Sequence, residues 1–134
     1  ETYAWASVDD AIGANLKVKI TSLTYTDVSD ESNSTFEIKG VLDLTAPNGN
    51  ETWYVGTSEN ITWTKQGTLG NVELRYSADG GATYPAINTI ATGVAASGLS
   101  YTWTIPNEIG TQLRVKIFLL SDPDNVYDTS QADF

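Results

Sequence analysis

The sequence predicts an all-β protein built as an antiparallel β-sandwich, and three observations lead to this prediction. Apolar and polar residues alternate through many short segments, as in strands with one buried face. Turn-forming residues recur about every 8–12 positions. No segment longer than one turn carries the 3.6-residue periodicity of an amphipathic helix.

The stretch 44–63 shows this pattern most clearly. Pro47 presets the backbone for a turn, and Gly49 supplies the positive φ that the exit of the turn requires. Beyond the turn, the apolar residues that alternate with polar ones are Trp53, Val55, Ile61 and Trp63.

The same alternation predicts the other strands. We expect them over residues 3–6, 16–23, 35–39, 41–44, 52–55, 60–64, 72–76, 87–90, 99–105, 113–120 and 128–134. Gly, Pro, Asn and Asp mark the turns, and we expect residues 93–98 to form a loop of small residues.

The composition argues against several classes of function. The 134-residue chain contains no Cys, His or Met, so it lacks disulfides, thiolates and the commonest general base. A net charge of −10 argues against nucleic acid or an anionic membrane as partner, and no apolar run is long enough for membrane insertion. The 18 Thr and 11 Ser residues, with many aromatic and few basic residues, favour an extracellular protein of the cell surface.

The chain contains an internal repeat. Residues 3–20 match residues 101–117 at an offset of 98 that becomes 97 after one gap, and Phe36 matches Phe134 at 98. The matched positions include Tyr3 and Trp5 with Tyr101 and Trp103, Ile12 and Gly13 with Ile109 and Gly110, and Leu16, Val18 and Ile20 with Leu113, Val115 and Ile117. We interpret residues 1–40 as the C-terminal strands of an incomplete repeat and residues 41–134 as a nearly complete one.

Motifs in the second repeat carry a family resemblance. They are Ala46-Pro-Asn-Gly-Asn-Glu-Thr-Trp53, Val55-Gly56, Ile61-Thr-Trp63, Val72-Glu-Leu74, Ser77-Ala-Asp-Gly-Gly81 and Tyr101-Thr-Trp103. Residues 41–134 resemble the Ser/Thr-rich GPI-anchored-protein domain of fungal cell-wall glucan-assembly proteins, which also occurs in tandem in bacterial and archaeal surface proteins. The chain departs from that pattern at Asn50 and Tyr84, where Gly and Trp are usual. The resemblance implies an immunoglobulin-like sandwich used as a repeating extracellular module without catalytic residues.

The segment 77–84 fits the S-x-D-x-G-x-T-aromatic pattern of an Asp-box. We expect Asp79 to accept backbone N–H groups across the turn, Gly81 to supply a positive φ, and Tyr84 to fold under the hairpin. This predicts a structural turn, with a sugar- or cation-binding role as the alternative.

Carboxylates in two loops are candidate metal ligands. Asp122 and Asp124 are the candidates for Ca²⁺, which binds loop carboxylates together with backbone carbonyls. Residues 27–31 form the equivalent acidic loop of the first repeat, so a site would recur. A solvated turn is the alternative, because the spacing matches no EF-hand, and no other cofactor is expected.

The aromatic residues have two interpretations. They fill a core or they form a platform on which sugars stack. Alternation predicts that Trp53, Trp63 and Trp103 point inward, whereas Tyr54 falls on the face opposite Trp53 and is the candidate for ligand stacking.

Three sequons permit N-glycosylation, at Asn33, Asn50 and Asn60. About two are expected by chance for this composition, so the number shows no enrichment. Asn50 lies beside a turn and is the most accessible of the three by this interpretation.

Two functions from different classes follow from these observations. The first is a non-catalytic structural repeat of a surface-layer or filament-forming protein. Residues 1–40 alone would expose apolar side chains and open sheet edges. Either the chain is cut from a longer array, in which adjacent upstream repeats complete this one, or strands from copies of the chain complete it. Alternatively, these strands pack on the second repeat. The second function is a carbohydrate-binding accessory module of a secreted protein, with cell-wall polysaccharide as partner. Catalysis is not expected, because a chain without His or Cys offers no nucleophile–base pair apart from Lys or carboxylate bases.

Overall fold

The computed structural model describes residues 2–8 and 10–134, and the chain divides into unit 1 (Glu1–Lys39) and unit 2 (Gly40–Phe134). Unit 1 contains the strands β1 (Gly13–Leu16), β2 (Lys19–Thr21), β3 (Ser29–Glu31) and β4 (Phe36–Ile38). Unit 2 contains β5 (Val41–Ala46), β6 (Ser58–Gln66), β7 (Asn71–Ser77), β8 (Thr89–Ala95), β9 (Ser100–Thr104), β10 (Arg114–Leu119) and β11 (Tyr127–Thr129). Among the described residues, no helix is long and apolar enough to cross a membrane.

Unit 2 is an immunoglobulin-like antiparallel β-sandwich. One sheet has three strands in the order β5-β6-β9, and the other has four in the order β11-β10-β7-β8. All the strand pairs within these sheets are antiparallel. The all-β fold class predicted from the sequence is therefore confirmed.

The core of unit 2 is built from the inward-facing positions of both sheets. Alternation buries Leu42 and Leu44 of β5 while the intervening Asp43 stays exposed. Trp63 of β6 is 2% exposed, and its indole Nε1–H donates to the carbonyl of Ala96 at 2.9 Å. A buried indole N–H needs an acceptor, so this bond allows Trp63, the largest of the fully buried side chains of unit 2, to lie in the core.

The described residues of unit 1 form two small antiparallel sheets, β1-β4 and β2-β3. Few of its apolar side chains are covered. Val18 is 51% exposed, Ile20 is 71% exposed and Leu23 is fully exposed. Unit 1 thus exposes apolar surface of the kind that a sandwich normally buries between its sheets.

Several predicted strands differ from the observed ones. Residues 3–6 and 52–55 form no strand, and the strand expected over 16–23 is divided into β1 and β2. The segment after Trp53 turns instead, because Gly56 adopts a φ of 82° and the N–H of Thr57 donates to the Tyr54 carbonyl.

The loop expected over residues 93–98 is also partly wrong, because β8 continues to Ala95. Val72 pairs with Val94 and Glu73 pairs with Thr92, so Gly93 is an extra residue in the ladder. Its φ of 73° is typical of a glycine at a β-bulge.

Candidate functional site

The internal repeat is present in the structure as two hairpins with the same register. We call β2-β3 hairpin 1 and β10-β11 hairpin 2. Ile20 pairs with Asp30 in hairpin 1, and Ile117 pairs with Asp128 in hairpin 2. The sequence offsets of 97 and 98 therefore relate the two strands of each hairpin, residue by residue.

A serine closes each hairpin in the same way. In hairpin 1, the Val18 N–H donates to Ser32 Oγ at 3.3 Å, and the Ser32 N–H donates to the Val18 carbonyl at 2.9 Å. In hairpin 2, Ser130 makes both bonds with Val115, each at 2.9 Å. The repeat thus preserves side-chain hydrogen bonding as well as strand pairing.

Unit 2 uses hairpin 2 to hold its first strand. Asp128 Oδ2 accepts the N–H of Leu44 at 2.7 Å, and Ser130 Oγ donates to the carbonyl of Pro47 at 2.8 Å. We call these two bonds the closing contacts. Asp128 and Ser130 were not predicted from the sequence, although the repeat carries the signal, because Asp30 and Ser32 match them at the same offset of 98.

A second feature of unit 2 is an open groove of about 350 Å³, here called the aromatic groove. Its aromatic wall comprises Trp53, Tyr76, Trp103 and Phe134. The ring centroids of Trp53 and Trp103 are 6.1 Å apart, and those of Trp53 and Phe134 are 5.0 Å apart. Four distant parts of the sequence meet here, so local patterns do not reveal the groove.

The rim of the aromatic groove is acidic. Glu51 accepts the backbone N–H groups of Asn48 and Gly49 at 2.8 and 2.7 Å, and Asp133 pairs with Arg114. Burial, and next the charge of Glu108, raise the pKa of the Tyr76 phenol. A groove lined by edge-to-face and tilted aromatic rings, with carboxylates and a phenol at hand, can accept the apolar face and the hydroxyl groups of a sugar.

The segment 77–84 forms a tightly hydrogen-bonded turn. Asp79 accepts the backbone N–H and the hydroxyl of Thr83, at 2.9 and 2.6 Å, and Ser77 Oγ donates to it at 2.5 Å. The hydroxyls of Ser77 and Thr83 lower the pKa of the Asp79 carboxyl to about 2. Gly81 has a φ of 85°, and a side chain there would press on Arg114 and Tyr84.

The proposed calcium ligands lie in the turn between β10 and β11. Asp122 Oδ1 accepts from the amide of Asn125 at 2.8 Å, while Asp124 is exposed. Across the described residues, no three or more His, Cys, Asp or Glu side chains are grouped to hold a metal ion. The Ca²⁺ site at Asp122 and Asp124 stays a prediction.

The remaining predicted sites lie on the surface. Tyr54 is 68% exposed and does not line the aromatic groove, whereas Trp53 does. Asn33, Asn50 and Asn60 are all exposed, and the side chain of Asn60 accepts from Thr102 at 2.8 Å. Asn50 has a φ of 72°, a conformation that Asn tolerates better than most residues. Glycosylation and ligand stacking at these residues stay predictions.

The fold and the site place unit 2 in the class of immunoglobulin-like β-sandwich modules, whose families include structural ones. The sequence model of the Kre9/KNH-like N-terminal Ig-like domain family matches residues 46–132, and the chain belongs to this family. The resemblance inferred from the sequence motifs is thereby confirmed. The family is non-catalytic and is associated with the cell wall and extracellular glucan assembly. Comparison with curated proteins and with solved structures gave no match.

Proposed function

We propose that the chain is a non-catalytic structural repeat module of an extracellular surface or filament-forming protein, and that neighbouring modules complete unit 1 by adding strands. One observation carries this proposal. The tripeptide Val-Lys-Ile occurs in both hairpins, and its apolar residues are fully buried in hairpin 2 but more than half exposed in hairpin 1. Exposed apolar side chains of this kind favour coverage by the strands of a partner module.

Light scattering and negative-stain electron microscopy of the full chain test this proposal. We expect association that increases with protein concentration, with regular filaments if the chains complete one another. Replacing Val18 and Ile20 by Thr is expected to abolish association. The matched control is Ile87→Thr, because Ile87 is 90% exposed and lies outside both hairpins. A monodisperse monomer with tight affinity for a soluble ligand would overturn the proposal.

A second candidate function is a carbohydrate-binding accessory module, and the aromatic groove favours it. Its rings and acidic rim offer stacking and hydrogen-bond acceptors to a polysaccharide. Pull-down with insoluble cell-wall polysaccharides tests this function, with two variants that separate two surfaces. Glu108→Gln alters the groove rim, and Tyr54→Ala alters the exposed ring outside it. If wild-type chain binds no wall polysaccharide, this candidate function is lost.

A further inference from the structure

We propose that the edge of hairpin 1 at Asp30 and Ser32 is a docking site for the first strand of another immunoglobulin-like module of the same type. This inference rests on the proposed function, because it names the partner strand and the groups that recognise it. The basis is the pair of closing contacts that Asp128 and Ser130 make in unit 2. Hairpin 1 has the same residue types, Asp30 and Ser32, at the matched positions.

The receiving groups of hairpin 1 are in place, but among the described residues they have no counterpart of the first strand that hairpin 2 binds. Asp30 is exposed, and its carboxylate accepts no hydrogen bond from the described residues. Ser32 Oγ accepts from Val18, as Ser130 Oγ does from Val115, but its hydroxyl hydrogen meets no acceptor in the described part of the chain. Ser130 uses that hydrogen to bind Pro47.

The geometry of unit 2 specifies the incoming strand. It must present a backbone N–H to Asp30 and, three residues later, a carbonyl to Ser32, as Leu44 and Pro47 do for hairpin 2. The incoming strand must also carry apolar residues in alternation, so that one of its faces covers Ile20 and Val18. The matched residues Ile117 and Val115 are buried in unit 2. Residues 41–50 have this character.

The source of the strand is an unpaired segment and not β5 of a folded copy. Leu42 and Leu44 are 5% and 0% exposed in unit 2, and β5 pairs with β6 over its whole length. Releasing β5 would expose both leucines to water, which is unfavourable. The partner is therefore a module whose first strand is not yet paired.

Titration of the labelled full chain with a synthetic peptide of residues 41–50 tests the site by NMR. We expect saturable shifts confined to the amides of residues 18–21 and 29–33. Methylating the peptide nitrogen of Leu44 removes the donor to Asp30 and keeps the side chain, and we expect this change to weaken binding about fivefold to tenfold. The Asp30→Ala chain is expected to show a similar loss.

The matched control is Asp27→Ala, which removes another exposed carboxylate, from the loop of hairpin 1. It should change the affinity by less than about twofold. Absence of saturable shifts, or equal binding by the Asp30→Ala and Asp27→Ala chains, would overturn the inference.

Light scattering on the same samples separates this inference from the proposed function. Self-association that persists in the Asp30→Ala chain, without peptide binding, would remove the assigned docking site and leave the structural role standing. If the chain binds the peptide but never self-associates, the docking site stands, and the proposal that this chain assembles by itself is contradicted. If Asp30→Ala abolishes self-association while the peptide does not bind, the occupant is a second copy, and the assigned partner is wrong.

Discussion

Replacing Ile117 by Ala and Ile20 by Ala compares one residue in two environments. Both isoleucines end the tripeptide Val-Lys-Ile and hold the same register position in their hairpins. The local sequence is shared, so effects of the substitution on the unfolded chain are similar in both cases. Any difference in the free energy of unfolding therefore reports the folded environment.

The expected magnitudes follow from burial. Ile117 is 0% exposed, and truncating a fully buried Ile to Ala costs about 2–5 kcal/mol from lost transfer free energy and cavity formation. Ile20 is 71% exposed, so its truncation should change stability by no more than about 0.5 kcal/mol. For a unit of this size, a loss of about 3 kcal/mol lowers Tm by roughly 12–24 °C.

Differential scanning calorimetry of the full chain at low protein concentration measures both effects, because the heat signal includes both units. Low concentration keeps association from covering Ile20. A loss at Ile20 as large as that at Ile117 would refute the reasoning, since Ile20 would then be buried in solution. A neutral Ile117→Ala would equally contradict the assigned core.

Three further predictions concern unit 2. Ser130→Ala should destabilise it by about 1–3 kcal/mol in urea titrations. The substitution removes a buried hydroxyl and leaves the Val115 N–H and the Pro47 carbonyl without that hydrogen-bond partner. The Asp79 carboxyl should titrate near pH 2 by NMR, and Thr83→Val should raise the pKa of that carboxyl. Because folding lowers this pKa from 3.8, the stability that Asp79 contributes is fully present above pH 3.8 and is lost as the pH falls through about 2. Leu99→Gly should stabilise the unit by about 1 kcal/mol in the same urea titrations, because Leu99 has a φ of 58° and is 44% exposed, and an unchanged midpoint would contradict this.

The fold class was predictable from sequence because strand alternation is a local signal. Ile61 and Trp63 are both buried on β6, as their spacing indicates. Residues 52–55 alternate equally well and form no strand, because a strand also requires backbone partners that local sequence does not specify. Gly93 was assigned to a loop for a similar reason, since a bulge is defined by the partner strand.

The candidate site was predictable only in part. The repeat predicts that residues 18–32 and 115–130 share a structure, and the two hairpins have the same register. The role of Asp128 and Ser130 depends on β5, more than 80 residues earlier in the chain, so no local pattern shows it. The aromatic groove also combines distant residues. Alternation predicts that Trp53 and Trp103 point inward, but it does not show that a groove opens beside them.

The closing contacts give unit 2 a mechanical property. Along its first and last segments, Leu44 bonds to Asp128, Pro47 to Ser130 and Asn48 to Gln131, so the two segments run in parallel. Tension that pulls the start of the first segment away from the end of the last one acts along these segments and not across them. All three bonds then bear the load together and must rupture nearly at once, whereas peeling would break them one by one. A module closed in this way is expected to resist stretching from its ends.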